Sequence, residues 1–465
     1  MKLTGGVASI RSAKVKLNDP NSVDLDQFVD DRPISAFHIN LVIWPLITMI
    51  ADGFDLVVMG FSAPEIINAF HIDRGSMGWI LSASLIGMLI GTPIAGYLGD
   101  RFGRKPLVVA ATLLFGAATW VTVFADTATH FFVLRFVAGL GLAGIIPNVT
   151  ALVSESIPRA SRGSLLVIVQ LGVQVGALVP GLVAAYLVSK LGWPILFHVG
   201  GACPILLALA LVFLLPESIK FLALDPKRRS KVLKMARAID RNVAWDDATR
   251  IVQHVPDAKA SLSPIVPYRN GMHAITPLLW ALAAIGLFTN LLIASWAPTV
   301  LRDLGLVPAS AALTVTFFAL GGLVGSLVMT LVFSRYGFLA VAIFYLIAVP
   351  VIAAIGYVDR GRLPWLIFVA GICVSGTQSA INSAFGMLYP TPIRGNSIGW
   401  GMAIGRLGSI FGPLFGGFLM GRHVTGDQFF AIASVPIAIG ICVAVVLTYL
   451  CRQRFHSWSL NDMPL

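Results

Sequence analysis

The sequence predicts an all-α polytopic membrane protein, twelve transmembrane helices in two six-helix halves, and three observations carry that reading. First, the 465 residues are 57% hydrophobic and only 12% charged, whereas soluble domains carry about 25% charge. Second, apolar runs long enough to cross a hydrocarbon core of roughly 30 Å recur at 39–61, 77–98, 107–125, 130–153, 163–189 and 193–215. After a polar stretch they recur at 276–300, 309–333, 338–357, 364–388, 396–420 and 428–451. Third, basic residues gather in alternate connections: Arg101, Arg104 and Lys105 after the second run, Arg159 and Arg162 after the fourth, and Lys220 through Arg250 after the sixth. The positive-inside rule makes those connections cytoplasmic, and an even number of spans puts both termini on the same side. The opposite connections carry isolated charges such as Arg74, Lys190 and Arg302, with Arg360 and Arg362 a mild exception.

The chain therefore divides into a cytoplasmic tail (1–36), a first half (37–215), a cytoplasmic central loop (216–273), a second half (274–451) and a short cytoplasmic tail (452–465). The first tail is polar throughout and lacks the apolar core of a cleavable signal, so the first span is expected to direct insertion itself. Its acidic part, Asp24 to Asp31, reads as a solvated segment. In the central loop, Lys227, Arg228, Arg229, Lys231 and Lys234 flank Val232, Leu233, Met235 and Ile239, the pattern of an amphipathic helix lying against anionic lipid headgroups. The net charge of +11 follows from these topology signals, and nucleic-acid binding is not expected. Cys203, Cys373, Cys442 and Cys451 are scattered without ligand-like spacing and read as packing residues. No metal cluster, nucleotide-binding loop or nucleophile triad is present, so an enzyme or an ATP-driven pump is disfavoured and no cofactor is expected.

Charges inside the spans mark the candidate site. Asp52 and Asp55, in Ala51-Asp52-Gly53-Phe54-Asp55, share one face of the first span. Each ionised Asp near mid-membrane costs on the order of 2.5–3.5 kcal/mol, and two close carboxylates resist being charged together. A proton-coupling role explains that cost; an Arg on a neighbouring helix satisfying the pair is the alternative. Arg135, on the fourth span, lies some 9 Å below the outer surface by residue count, the same depth as Asp55, so the two can pair. Arg406, on the eleventh span, lies roughly 18 Å deep. A buried Arg suits a carboxylate, which it can bind through two parallel hydrogen bonds, and this makes Arg406 the candidate for an anionic substrate; bonding to backbone carbonyls is the alternative. Gln170, Gln174, Asn290, Gln378 and Asn382 add polar groups expected to line the same cavity, and Phe54, Trp296 and Trp400 could stack on a ring.

Between the second and third spans stands Gly96-Tyr97-Leu98-Gly99-Asp100-Arg101-Phe102-Gly103-Arg104-Lys105-Pro106. This loop resembles the signature of the major facilitator superfamily almost position for position. Arg135-Phe136-Val137-Ala138-Gly139-Leu140-Gly141, Pro216-Glu217-Ser218 after the sixth span, and Arg-Gly entering both the fifth (Arg162-Gly163) and eleventh (Arg394-Gly395) spans fit the same family. The last pair is the trace of a parallel internal repeat. The second copy of the signature loop, Phe333-Ser334-Arg335-Tyr336-Gly337, has lost its Asp.

The D-G-x-D pattern at Asp52–Asp55, followed by Gly60-Phe61-Ser62-Ala63-Pro64, together with Tyr389-Pro390-Thr391-Pro392-Ile393-Arg394-Gly395 and Gly405-Arg406-Leu407-Gly408-Ser409, is similar to the aromatic acid/proton symporters of the bacterial inner membrane. The resemblance implies proton symport of benzoate, a hydroxybenzoate or a related acid, with Asp52, Asp55 and Arg135 coupling protons. It also implies that Gly96, Asp100, Arg101, Gly103, Arg104, Glu155 and Arg394 serve gating, and that the protein acts as a monomer. A carrier of another organic or sugar acid, or a proton-driven exporter, is the alternative. The exporter run G-x-x-x-G-P-x-x-G-G is only partly matched by Gly172, Gly176, Pro180 and Gly181.

Overall fold

The computed structural model describes residues 22–240, 245, 249–252, 268, 272–389 and 391–455. Twelve helices among them are long and apolar enough to cross a membrane. The first six are Ala36–Phe70, Arg74–Phe102, Arg104–Phe124, Ala128–Ser156, Arg159–Leu191 and Pro194–Leu214. The second six are Ile275–Asp303, Pro308–Tyr336, Phe338–Tyr357, Leu363–Leu388, Asn396–Gly421 and Gly426–Arg454. The first span runs on past Phe61 to Phe70 and so carries Glu65 inside the helix.

The two halves repeat one packing scheme. In the first half the first span packs on the fifth, the second on the fourth and the third on the sixth; in the second half the seventh packs on the eleventh, the eighth on the tenth and the ninth on the twelfth. Between helices in lipid the attraction is van der Waals, which rewards close backbone approach. Gly53 supplies it in one half and Gly408 at the equivalent crossing of the other: an added Cβ would sit 2.0 Å from the Val173 carbonyl oxygen and 2.1 Å from that of Ala284.

The halves meet along the second and eleventh, fifth and eighth, and first and seventh spans. Their contact runs from the middle of the bundle to the end away from the basic connections. There Gly78 meets Gly417, Gly181 meets Thr316 and Gly60 meets Ala294. Toward the basic end, Gly96, Gly163, Gly386 and Gly399, on the second, fifth, tenth and eleventh spans, have no atom within 4 Å of an added Cβ. At these four positions no neighbouring helix covers the glycine.

The acidic tail segment is not a solvated strand of chain. Ser22–Asp24 pairs in parallel with Arg250–Val252, and the helix Leu25–Asp30 buries Leu25, Phe28 and Val29 against Val232, Ala236 and Ile239. The amphipathic helix Arg229–Ile239 therefore lays its apolar face on the protein's own tail instead of on lipid headgroups. Asp26 pairs with Lys220, and Asp30 with Arg162 at 2.6 Å, which fastens this unit to the start of the fifth span. Central-loop residues 241–244, 246–248, 253–267 and 269–271 and the tails 1–21 and 456–465 lie outside the described residues.

Substituting Gly53→Ala is expected to lower the midpoint of thermal unfolding in detergent, the overpacking costing about 1–3 kcal/mol. Gly399→Ala, where space is open, is expected to leave that midpoint within error.

Candidate functional site

The Asp55 carboxylate is bound from two sides. Arg135 donates to both of its oxygens, Nη1 to Oδ1 at 3.2 Å and Nη2 to Oδ2, and reaches the Asp55 carbonyl oxygen at 3.4 Å. The Thr119 hydroxyl, on the third span, donates to Asp55 Oδ1 at 2.5 Å and accepts from Arg135 Nη1 at 3.1 Å. Asp55 is 1% exposed and Arg135 0%. The expected pair is formed, and Thr119 completes it. Nothing in the sequence marked Thr119, because a single Thr in an apolar span looks like any other helical Thr bonding its own backbone.

Asp52 sits differently. It is 2% exposed, Oδ1 is enclosed without a hydrogen-bond partner, and among the described residues it forms no ion pair within 4.0 Å. Its charged neighbours are Asp55 on its own helix and Arg406 from the other half. Arg406 donates to the Met88 carbonyl oxygen at 3.2 Å and to the Thr92 hydroxyl, both on the second span. Backbone and hydroxyl bonding by Arg406 is thus what this conformation holds, and those bonds cross between the halves.

Above the charged layer lies a narrow cleft of about 50 Å³ between the halves, lined by the first, fifth, seventh, eighth and tenth spans. Its wall is apolar, including Leu56, Phe61, Val173 and Phe318, apart from Gln174, Asn290 and Ser375. Asn290 Nδ2 donates to the Ser375 hydroxyl at 2.6 Å. Gln378 and Asn382, along the tenth span, bond each other at 3.2 Å, with Gln378 Oε1 buried and unpartnered.

The remaining sequence candidates fall elsewhere. Phe54 is packed into the first half, its ring against Gly200. Trp296 is fully buried, its indole N–H donating to the Pro413 carbonyl oxygen at 2.9 Å. Neither ring lies on the cleft wall. Gln170 is exposed on the fifth span and donates to Thr150 at 3.2 Å, and Trp400 packs partly buried against the second-half core.

The signature loop and the Pro216-Glu217-Ser218 turn form one network in the first half. Arg104 joins Asp100 at 2.5 Å and Glu155 at 3.1 Å, and the Ser218 hydroxyl donates to Glu155. Glu217 accepts the backbone N–H groups of Arg104 (3.0 Å) and Lys105 (3.1 Å), capping the third span where its dipole favours an anion. Gly103 stands between them at φ 110°, where a side chain is strained and would strike Glu217. Asp100 is mostly exposed, Gly96 faces open space, and among the described residues Arg101 reaches only the Tyr97 hydroxyl at 3.4 Å and the Phe102 ring. At Arg394 the helix is described but its side chain lies outside the described residues. Nearby, Tyr389 is buried and donates to Thr276 at 2.9 Å; burial pushes its phenol up to about 12, so it stays a donor.

At the opposite end the halves are tied by ion pairs that sequence reading treated as stray loop charges. Arg74 forks onto Asp303 at 2.6 and 3.1 Å, and Arg302 meets Glu65 at 2.7 Å.

This architecture matches the model of the Major Facilitator Superfamily over residues 46–359. The chain belongs to that superfamily. It is a transporter, not an enzyme. Over 91% of its length it is 34% identical to the 4-hydroxybenzoate transporter PcaK of Pseudomonas putida, 96% of which is covered. It is 30% identical over 93% of its length to a gallate transporter of Pseudomonas putida, with 96% of that relative covered. Among solved structures a D-xylose–proton symporter superposes with a TM-score of 0.66 at 17% identity, covering 89% of this chain and 97% of that one. The likeness to that structure is one of fold.

Because Arg135 and Asp55 neutralise one another where water does not reach, removing one partner leaves the other's charge buried. Arg135→Gln is expected to cost about 3–5 kcal/mol, read as a fall in thermal unfolding midpoint, and Asp55→Asn in the same chain is expected to restore most of it.

Proposed function

We propose that the chain is a secondary active transporter that imports an aromatic carboxylate, of the benzoate or hydroxybenzoate kind, by proton symport with alternating access. In this reading it sits as a monomer in the bacterial inner membrane with both termini in the cytoplasm. The basic end is then the cytoplasmic one, and the described conformation faces inward. Relatives named for 4-hydroxybenzoate and gallate support the substrate class.

The observation that carries the coupling is the contrast between the two first-span acids. Asp55 is held by Arg135 and Thr119, while Asp52 is buried with its Oδ1 unpartnered and has Arg406 of the other half as its nearby cation. A buried carboxylate without partners is costly, and taking a proton relieves that cost. With Asp52 charged, it draws on the Arg406 guanidinium; with Asp52 protonated, that guanidinium is free to take the substrate carboxylate. Proton and anion thus favour each other's binding, and by linkage the coupling is reciprocal. The loaded site has one fewer uncompensated charge than a site holding the anion alone, so the halves can rock. That motion forms Arg74–Asp303 and Glu65–Arg302 at the outer end and opens the cytoplasmic end, where Asp100, Arg104 and Glu155 stand. In the cytoplasm Asp52 loses its proton and Arg406 its anion.

Radiolabelled benzoate and 4-hydroxybenzoate are expected to accumulate in proteoliposomes under an inward proton gradient, and accumulation is expected to collapse with a protonophore. Asp52→Asn is expected to cut gradient-driven accumulation at least about tenfold and to abolish its dependence on external pH. Undiminished, pH-driven uptake by that variant would contradict the assignment, and loss of substrate from preloaded vesicles on gradient reversal alone would favour export.

A further inference from the structure

Arg406 is held across the interface by a backbone carbonyl and a hydroxyl, and the turn that supplies them is built for that purpose. Its Nη1 donates to the Met88 carbonyl oxygen at 3.2 Å and to the Thr92 hydroxyl. The Thr92 hydroxyl in turn donates to the same carbonyl at 2.7 Å, so its proton is spent inside the second span and its lone pairs are left for the guanidinium. Pro93 follows inside the helix and, having no N–H, interrupts the hydrogen-bond ladder at this turn. A hydroxyl bonded back to the i−4 carbonyl and a proline beside it both bend a helix. The first half thus presents a pair of acceptors to a cation of the second.

Those contacts occupy one edge of the guanidinium. Nη1 has two acceptors for its two N–H groups, while Nε and Nη2 have no hydrogen-bond partner among the described residues. Neither atom is enclosed, in contrast to the Nε of Arg104 and of Arg135. The Nε and Nη2 N–H groups lie parallel at the spacing of two carboxylate oxygens, the fork that an anion fits. The second span therefore fixes the guanidinium by one edge and leaves the other to an incoming carboxylate. Farther along the same crossing, Ser82 donates to the Ile410 carbonyl oxygen at 2.9 Å, a bond between the same two spans that does not involve the Arg406 side chain.

Resting on the reading of Arg406 as the partner of the substrate carboxylate, we propose that Thr92 is a positioning residue: its hydroxyl, with the Met88 carbonyl, holds the Arg406 guanidinium so that the Nε and Nη2 edge is set for the anion before it arrives. Such preorganisation strengthens binding by removing the cost of ordering the side chain. Without the Thr92 oxygen one Nη1 N–H loses its acceptor in a low-dielectric setting, and the guanidinium turns toward Asp52, the anion that already draws on it. The free edge is then misaligned and the carboxylate is held less tightly. Because Thr92 belongs to the first half and Arg406 to the second, a carboxylate bound on the free edge is joined to both halves through one side chain.

The test is the concentration dependence of radiolabelled benzoate and 4-hydroxybenzoate uptake into proteoliposomes under an inward proton gradient. Thr92→Val, which keeps the shape and deletes the acceptor, is expected to raise KM about tenfold and to leave the maximal rate within about twofold. Thr92→Ser, which puts the oxygen back, is expected to return KM to the wild-type value, and Thr92→Ala repeats the deletion should the valine variant fail to fold. Ser82→Ala, which breaks the neighbouring bond between the same spans, is expected to leave KM unchanged. An unchanged KM without the Thr92 hydroxyl, a serine variant as impaired as the valine one, or an equal rise in Ser82→Ala overturns the positioning role while aromatic acid transport stands. If wild-type protein takes up neither acid, the transport reading itself fails, and the role of Thr92 with it.

Discussion

A charge buried in a low-dielectric interior must be paired or neutralised, and that constraint organises this molecule. Asp55 and Arg135 meet it within the first half, through a two-pronged contact completed by Thr119. Asp52 and Arg406 do not, since one charge stands on each half and they approach without contact. A pair inside one half lets that half move as a unit; an unsatisfied pair between halves gives a proton and an anion something to change. The close glycine crossings of the first span on the fifth and the seventh on the eleventh keep each half rigid enough for the difference to matter.

The two ends of the bundle are built differently. At the basic end a network of Asp100, Arg104, Glu155, Glu217 and Ser218 is confined to the first half, and the tail unit is clamped to it through Asp30 and Arg162. At the other end the charges bridge between halves. Each bridging pair is partly solvated, and exposed pairs contribute about 0–1 kcal/mol. Ties of that size hold one conformation without trapping it.

Much of this was legible in the sequence because the bilayer writes its thickness into the chain. Span number, the two sets of six and the parallel repeat follow from apolar run length and from the matched Arg-Gly entries at Arg162 and Arg394. The Asp55–Arg135 pair followed from depth counted along two helices. The roles of Phe54 and Trp296 were not legible, because helix rotation decides whether an aromatic faces a cleft or the core, and apolar spans carry almost no periodicity to fix it. Arg74 and Arg302 looked isolated because Asp303 and Glu65 lie 229 and 237 residues away. The tail was misread for its acids, although Leu25, Phe28 and Val29 stood at helical spacing among them, ready to cover the central-loop helix.

The claim on which the rest turns is that one proton enters the Asp52 site when an aromatic carboxylate reaches Arg406. Its most direct measurement is proton uptake by purified protein in weakly buffered solution, followed with a pH-sensitive dye as 4-hydroxybenzoate is added. Uptake of a proton with each anion bound, lost in Asp52→Asn and kept in Gly399→Ala, is the expected result. Saturable anion binding to the unsubstituted protein with no proton taken up at any pH would contradict it.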